Sequence, residues 1–115
     1  MKSIIQDNKR ICYLCQTIYG RDYEREDTEE HHIFPGNNRK NSEKYGLKVY
    51  LCPECHQFGP EAVHKFPNQG NDLLLKQIAQ AKFKKKYPEL DFMQIFGQNY
   101  LVAPVQQNKN LKQKS

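Results

Sequence analysis

Two Cys-x-x-Cys pairs flank a His-His pair, and the second cysteine pair runs directly into a third histidine. The residues are Cys12 and Cys15, then Glu30-His31-His32-Ile33-Phe34-Pro35, then Cys52-Pro53-Glu54-Cys55-His56. All four cysteines of the chain lie in the two pairs, and the fourth histidine, His64, stands eight residues beyond His56. Thiolates and imidazoles are the preferred ligands of zinc and its neighbours among divalent metals. The concentration of these side chains in a short chain therefore points to metal chemistry.

The cysteine pattern is the more specific signal. The x-x spacing places two sulfurs within reach of one ion, and two such knuckles complete a tetrahedron. Cys12, Cys15, Cys52 and Cys55 are thus read as the ligands of one structural Zn²⁺, with redox pairs and disulfides as the alternatives. Four thiolates leave no position for water, so such a site stabilises and does not catalyse. The 36 residues between Cys15 and Cys52 become a loop closed by the metal.

Composition sets the frame. At 115 residues, 37% hydrophobic and without tryptophan, the chain can build only a thin core, which a structural metal would reinforce. One domain is expected over residues 1–103, followed by a disordered basic tail over 104–115, where the chain turns rich in Gln, Asn and Lys. No apolar run is long enough to span a membrane. Residues 1–7 turn polar too soon for a secretory leader. A cytoplasmic setting, with reduced thiols, is expected.

Charge is unevenly placed. Residues 1–30 carry five Lys/Arg and seven Asp/Glu, net −2, and residues 31–115 carry thirteen and six, net +7. The positive part includes Arg39, Lys40, Lys44, Lys48, Lys65 and the run Lys84 to Lys86. A basic face suits a polyanion. Arg39, Lys40 and Lys44 are the candidate nucleic-acid contacts, with solvated loop charges as the plain alternative.

The elements that must position these groups follow from pattern. Residues 11–20 alternate apolar residues around the first cysteine pair, as a short hairpin knuckle would. Residues 31–35 extend as a strand until Pro35-Gly36. Residues 37–46 form a polar, basic loop, and 47–52 a second strand. Pro53 starts a helix. Gly59-Pro60 interrupts it, and residues 61–65 add another helical turn. Asn71-Asp72 caps a longer helix that runs to about Tyr87, with an apolar stripe of Leu74, Leu75, Ile78, Ala79, Ala81 and Lys82. Residues 91–96 make a last short helix stopped by Gly97.

Strand, loop, strand and histidine-bearing helix is the ββα-metal layout. On His31-His32-Ile33-Phe34-Pro35 and Leu51-Cys52-Pro53-Glu54-Cys55-His56, the sequence resembles the HNH endonuclease superfamily over about residues 10–66. The longer run from His31 to Cys52 is similar to that of small phage proteins related to the recombination-enhancement, RecA-dependent nuclease. So are Leu74 to Ala81 and Phe96 to Leu101.

The resemblance implies an α+β fold with a ββα-metal core, a four-cysteine zinc knuckle and C-terminal helices. It implies a metal-dependent endonuclease acting on DNA in phage recombination, replication or packaging within a bacterial host, with a recombinase filament as a further partner. It implies 5′-phosphate and 3′-hydroxyl products. His31 and His56 become ligands of a catalytic divalent ion (Mg²⁺, Mn²⁺, Ni²⁺ or Zn²⁺), and His32 becomes the general base. His64 is the candidate for the remaining ligand.

Side-chain alternation on a strand and the neutral-range pKa of imidazole both agree with these roles. Two positions depart from the family pattern. Pro60 stands four residues after His56, where a ligand is common, so His64 serves only if Gly59-Pro60 re-aims the chain. Leu47, not asparagine, precedes the second strand, and Asn38 or Asn41 is expected to tie the loop to the strand. The rival reading is a non-catalytic zinc-ribbon module that grips nucleic acid or protein. A third is a relic of the family that has lost activity.

Overall fold

A computed structural model describes residues 1–101. The expected domain end at residue 103 and the tail over 104–115 lie outside these described residues. Over the described residues the fold is small and α+β, with one two-stranded antiparallel sheet and helices on either side of it in sequence.

The first cysteine pair opens a helix, α1 (Tyr13–Tyr19), and not the expected hairpin. Cys12 itself is the cap: its Sγ accepts the backbone N–H of Cys15 at 3.4 Å. A thiol in place of a hydroxyl thereby satisfies one of the orphan donors of the first turn. Gly20 ends the helix at φ 69°, a left-handed conformation that glycine adopts without strain.

Strand β1 (Glu29–His32) starts two residues earlier than expected and pairs with β2 (Lys48–Leu51). The register sets Glu29 opposite Leu51, Glu30 opposite Tyr50, His31 opposite Val49 and His32 opposite Lys48. With a period of two, Glu29 and His31 share one face, and Glu30 and His32 the other.

Residues 37–46, expected as a loop, are largely helical. A 3-10 turn (Gly36–Asn38) leads into α2 (Arg39–Lys44). Polar composition hid this helix, because its only fully buried residue is Ser42. The Ser42 hydroxyl donates to the carbonyl of Leu47 and accepts from the N–H of Phe34. Asn38 and Asn41 do not tie the segment to a strand. Their side-chain amides donate to the carbonyls of Phe96, at 3.0 Å, and Ile95, at 3.3 Å. Those carbonyls lie at the end of a helix, where acceptors have no intrahelical partner.

The long helix α3 (Gly70–Lys86) begins slightly before its expected cap. Asp72 lies in its first turn and accepts the N–H of Asn68 at 2.6 Å. The buried face is Asp72, Leu75, Lys76, Ala79, Gln80 and Phe83, and Ala81 and Lys82 of the expected stripe are exposed. Half of that face is polar. Lys76 is paired with Asp72 at 2.8 Å, and Gln80 accepts the N–H of Tyr100, so neither is buried without a partner. The run Lys84 to Lys86 is exposed in the last turn, where cations complement the helix dipole. Helix α4 (Phe92–Phe96) is ended by Gly97, as the sequence indicates, and the structure shows Asp91 as its N-cap.

Phe34, two residues beyond β1, anchors the core. Its ring meets Phe96 at 4.7 Å, Tyr100 at 5.4 Å and Phe92 at 5.5 Å. Edge and offset contacts of this kind add to the burial of large apolar surface. Tyr45 closes the same cluster against Phe83 and Tyr87. The histidine strand is thus fixed at its exit against α4, which in turn packs on Phe83 of α3. Among the described residues, no helix is long and apolar enough to cross a membrane.

Candidate metal centres

The four cysteines converge, all ligand atoms lying within 4.8 Å of one another. Cys15 Sγ stands 3.9 Å from Cys52 Sγ and 3.8 Å from Cys55 Sγ. Sulfurs held about 2.3 Å from a tetrahedral zinc are about 3.8 Å apart, so the arrangement fits such an ion. Electrostatics agree. Cys12 is driven below the ordinary thiol range by the Cys55 thiol that hydrogen-bonds it. Cys15 is pushed up by burial and then by Cys12, and Cys55 is pushed up chiefly by Cys12. One thiolate forms readily and raises the cost of the next. A divalent cation removes that conflict. The cluster clips α1 to the segment after β2, and it fits a structural metal such as zinc.

The histidines form a second cluster. His31, His56 and His64 also bring their ligand atoms within 4.8 Å of one another. His31 and His56 are buried, and His64 is exposed. The ring centroids of His31 lie 5.1 Å from His56 and 5.4 Å from His64. The Nε2 of His31 is buried and, among the described residues, has no hydrogen-bond partner. A buried imidazole nitrogen left unpaired is costly unless something accepts its lone pair. Burial, followed by the neighbouring His56 and His64, pushes the His31 pKa down to about 3. Burial thus favours the neutral form of the His31 ring, the form that can offer a lone pair.

Backbone geometry delivers His64. After Pro53 the chain makes a wide π turn over Glu54–Phe58, closed by the Gly59 N–H on the Glu54 carbonyl at 2.8 Å. Residues 59–66 follow as irregular turns, not the expected extra helical turn. They fold back, with the N–H of Val63 on the Cys55 carbonyl and that of His64 on the His56 carbonyl. Only glycine fits at position 59, because a Cβ there would stand 2.6 Å from the Glu54 carbonyl oxygen. The Gly59-Pro60 break thus re-aims the chain and sets His64 Nε2 at 2.9 Å from His56 Nε2.

Glu29 completes this centre and was not anticipated. Its Oε1 lies 2.7 Å from His56 Nδ1. A carboxylate only accepts, so His56 carries its proton on Nδ1 and turns the Nε2 lone pair toward His31 and His64. The 2.9 Å contact between His56 and His64 then needs a proton on His64 Nε2 or a cation between the two. The available signal was period two, since Glu29 shares a strand face with His31. Glu29→Gln is expected to weaken binding of a divalent ion at the histidine cluster about 10- to 100-fold while sparing the thiolate-bound metal. Calorimetric titration of protein already loaded with one zinc checks this.

His32 is turned to the opposite face of β1. Its Nε2 lies 2.8 Å from Glu43 Oε1. His32, Glu30 and Glu43 line an open hollow of about 420 Å³ together with Arg39, Lys40 and Lys44. The three cations named from sequence are therefore gathered around the one histidine outside the cluster, and all three are exposed. Lys48 is not part of a free basic surface. It is buried between Glu30 and Glu43, with its Nζ 3.0 Å from each.

Comparison with protein-family models, with curated proteins and with solved structures found no match to this chain.

Proposed function

We propose that the chain is a metal-dependent endonuclease of the HNH, ββα-metal, type that hydrolyses DNA phosphodiesters in phage recombination, replication or packaging. The observation that carries this reading is the three-imidazole cluster with the unpartnered, buried Nε2 of His31, beside His32 on the same strand. A zinc-ribbon binding module needs the cysteines and has no use for either feature.

In this reading His31, His56 and His64 hold a divalent ion, and Glu29 orients His56. When bound, that ion supplies charge that polarises the scissile phosphate and stabilises the leaving oxygen. His64 is exposed, so the three-imidazole cluster is reachable from solvent on that side. His32 takes the proton of the attacking water. Among the described residues β1 is paired with β2 alone, so a phosphate approaching its outer edge can be served from both faces of the strand. Arg39, Lys40 and Lys44 grip neighbouring phosphates. The end groups, a 5′-phosphate and a 3′-hydroxyl, rest on the sequence resemblance.

Plasmid nicking measured across Mg²⁺, Mn²⁺, Ni²⁺ and Zn²⁺ tests the proposal. Cutting is expected with at least one of them, from protein that holds a tightly bound zinc and a second, exchangeable ion. Absence of cutting with every ion would return the chain to the binding-module reading. DNA binding is expected to weaken steeply with salt through counterion release. Replacing Arg39, Lys40 and Lys44 with alanine should reduce the slope of log K against log salt by about 2 to 3. An unchanged slope would show that this hollow is not the phosphate contact.

A further inference from the structure

His32 does not stand alone in its hollow. Glu43, on α2, places Oε1 2.8 Å from His32 Nε2, and the same oxygen receives Lys48 Nζ at 3.0 Å. The other oxygen, Oε2, receives the amine of Met1 at 2.7 Å. Lys48 is buried, carries only donors, and is shared with Glu30. The Met1 amine, then His32 and Lys48, hold the Glu43 carboxyl well below the usual carboxylate range, and Lys48 keeps its Oε1 facing the histidine.

We infer that Glu43 is the positioning residue of His32: it fixes the ring and its tautomer, so that Nδ1 is the atom that accepts a proton. This rests on the reading of His32 as a general base. An ionised carboxylate can only accept, so the proton between the two groups sits on His32 Nε2, and Nδ1 keeps the lone pair. In the other tautomer Nε2 would set a lone pair against the carboxylate, and Nδ1 would have no basicity to offer water. During hydrolysis the water oxygen bonds to phosphorus and its proton passes to Nδ1, while the bond from phosphorus to the 3′ oxygen breaks and that oxygen takes a proton from solvent water to leave as the 3′ hydroxyl. Glu43 then faces an imidazolium through its Nε2–H, a charge-assisted contact stronger than the one it replaces.

The supports of Glu43 reach across the molecule. Helix α2 is pinned to the end of α4 by its N-cap residue Asn38 and by Asn41, and to Leu47, just before β2, through Ser42. Position 43 is thereby held relative to β1 by contacts on both sides of its helix. A ring free to turn is misplaced by about an ångström or more, which costs on the order of 10²-fold in rate.

The test uses Glu43→Ala and Glu43→Gln in the full chain. The readouts are cleavage kinetics, metal affinity, and the tautomer of His32 by nitrogen-15 NMR with specifically labelled histidine. Glu43→Ala is expected to lose about 10- to 100-fold in kcat, with KM and divalent-ion affinity unchanged. Its His32 should pass from a single Nε2–H form to a mixture. Glu43→Gln keeps a carbonyl oxygen at the same place, held there by Lys48, and should restore both the Nε2–H form and most of the rate. An alanine variant that cuts at the wild-type rate overturns the inference. So does one that slows while its His32 tautomer is unaltered, or a glutamine variant no better than alanine. If wild type cuts nothing with any divalent ion, the nuclease reading falls and the catalytic meaning of the pair falls with it. The tautomer measurement, made without substrate, still distinguishes that failure from an absent Glu43–His32 contact.

Discussion

Cys52→Ser is expected to lose its tightly bound zinc and to unfold or aggregate. Cys52 is buried, and its sulfur lies 3.9 Å from that of Cys15 in a cluster that joins α1 to the segment following β2. A structural zinc of this class contributes on the order of 10 kcal/mol of apparent binding free energy to folding. Whole domains are stable by only about 5–15 kcal/mol. A chain that is 37% hydrophobic and lacks tryptophan has little with which to offset such a loss. Serine removes one soft ligand and leaves three sulfurs where a closed tetrahedral site needs four. Zinc content by mass spectrometry and a circular-dichroism melt give the answer. Unchanged stoichiometry and melting temperature would show that the cluster is not a structural metal site.

His32→Ala is expected to keep the fold, both metals and DNA binding, and to lose roughly 10²- to 10⁴-fold in cleavage rate, the usual scale of acid–base catalysis. The argument for sparing the metals is geometric. The register of β1 against β2 turns His32 to the face opposite His31, into the hollow with Arg39, Lys40 and Lys44. His31→Ala and His56→Ala should behave in the contrary way. They remove ligands from the three-imidazole cluster, so the exchangeable ion is lost while the thiolate-bound zinc remains. His64→Ala should resemble them, because its Nε2 lies 2.9 Å from that of His56. Single-turnover cleavage beside metal counting separates the two classes. A His32→Ala protein that cuts as fast as wild type, with the same metal dependence, would remove His32 from the chemistry.

Ligand type and short spacing speak for themselves in this chain. Cys-x-x-Cys puts two sulfurs near one ion whatever surrounds it, so the four-cysteine cluster was legible at once. The second strand and α4 were legible too, because alternation in the one and the stop at Gly97 in the other are local signals. Placement of His31 and His32 on opposite faces followed from strand periodicity alone.

Long-range packing set the rest. The first cysteine pair begins a helix, since Cys12 caps it and Leu14 is buried, and a seven-residue helix has too few periods to announce itself. Residues 39–44 are helical because Ser42, Asn38 and Asn41 find carbonyl partners outside their own helix, and polar composition looks like a loop until those partners are known. The face of α3 turns inward with Asp72, Lys76 and Gln80 because each meets a complementary polar group there. No hydropathy pattern can signal that. Whether His64 joins His56 was undetermined by spacing, with Pro60 where a ligand is common. The π turn and the fold-back after Gly59 settled where its ring lies. Glu29 and Glu43, each paired with one histidine, are ordinary acidic residues in the sequence. Only the packing of β1 against the π turn and against α2 brings their carboxylates within hydrogen-bonding distance of an imidazole.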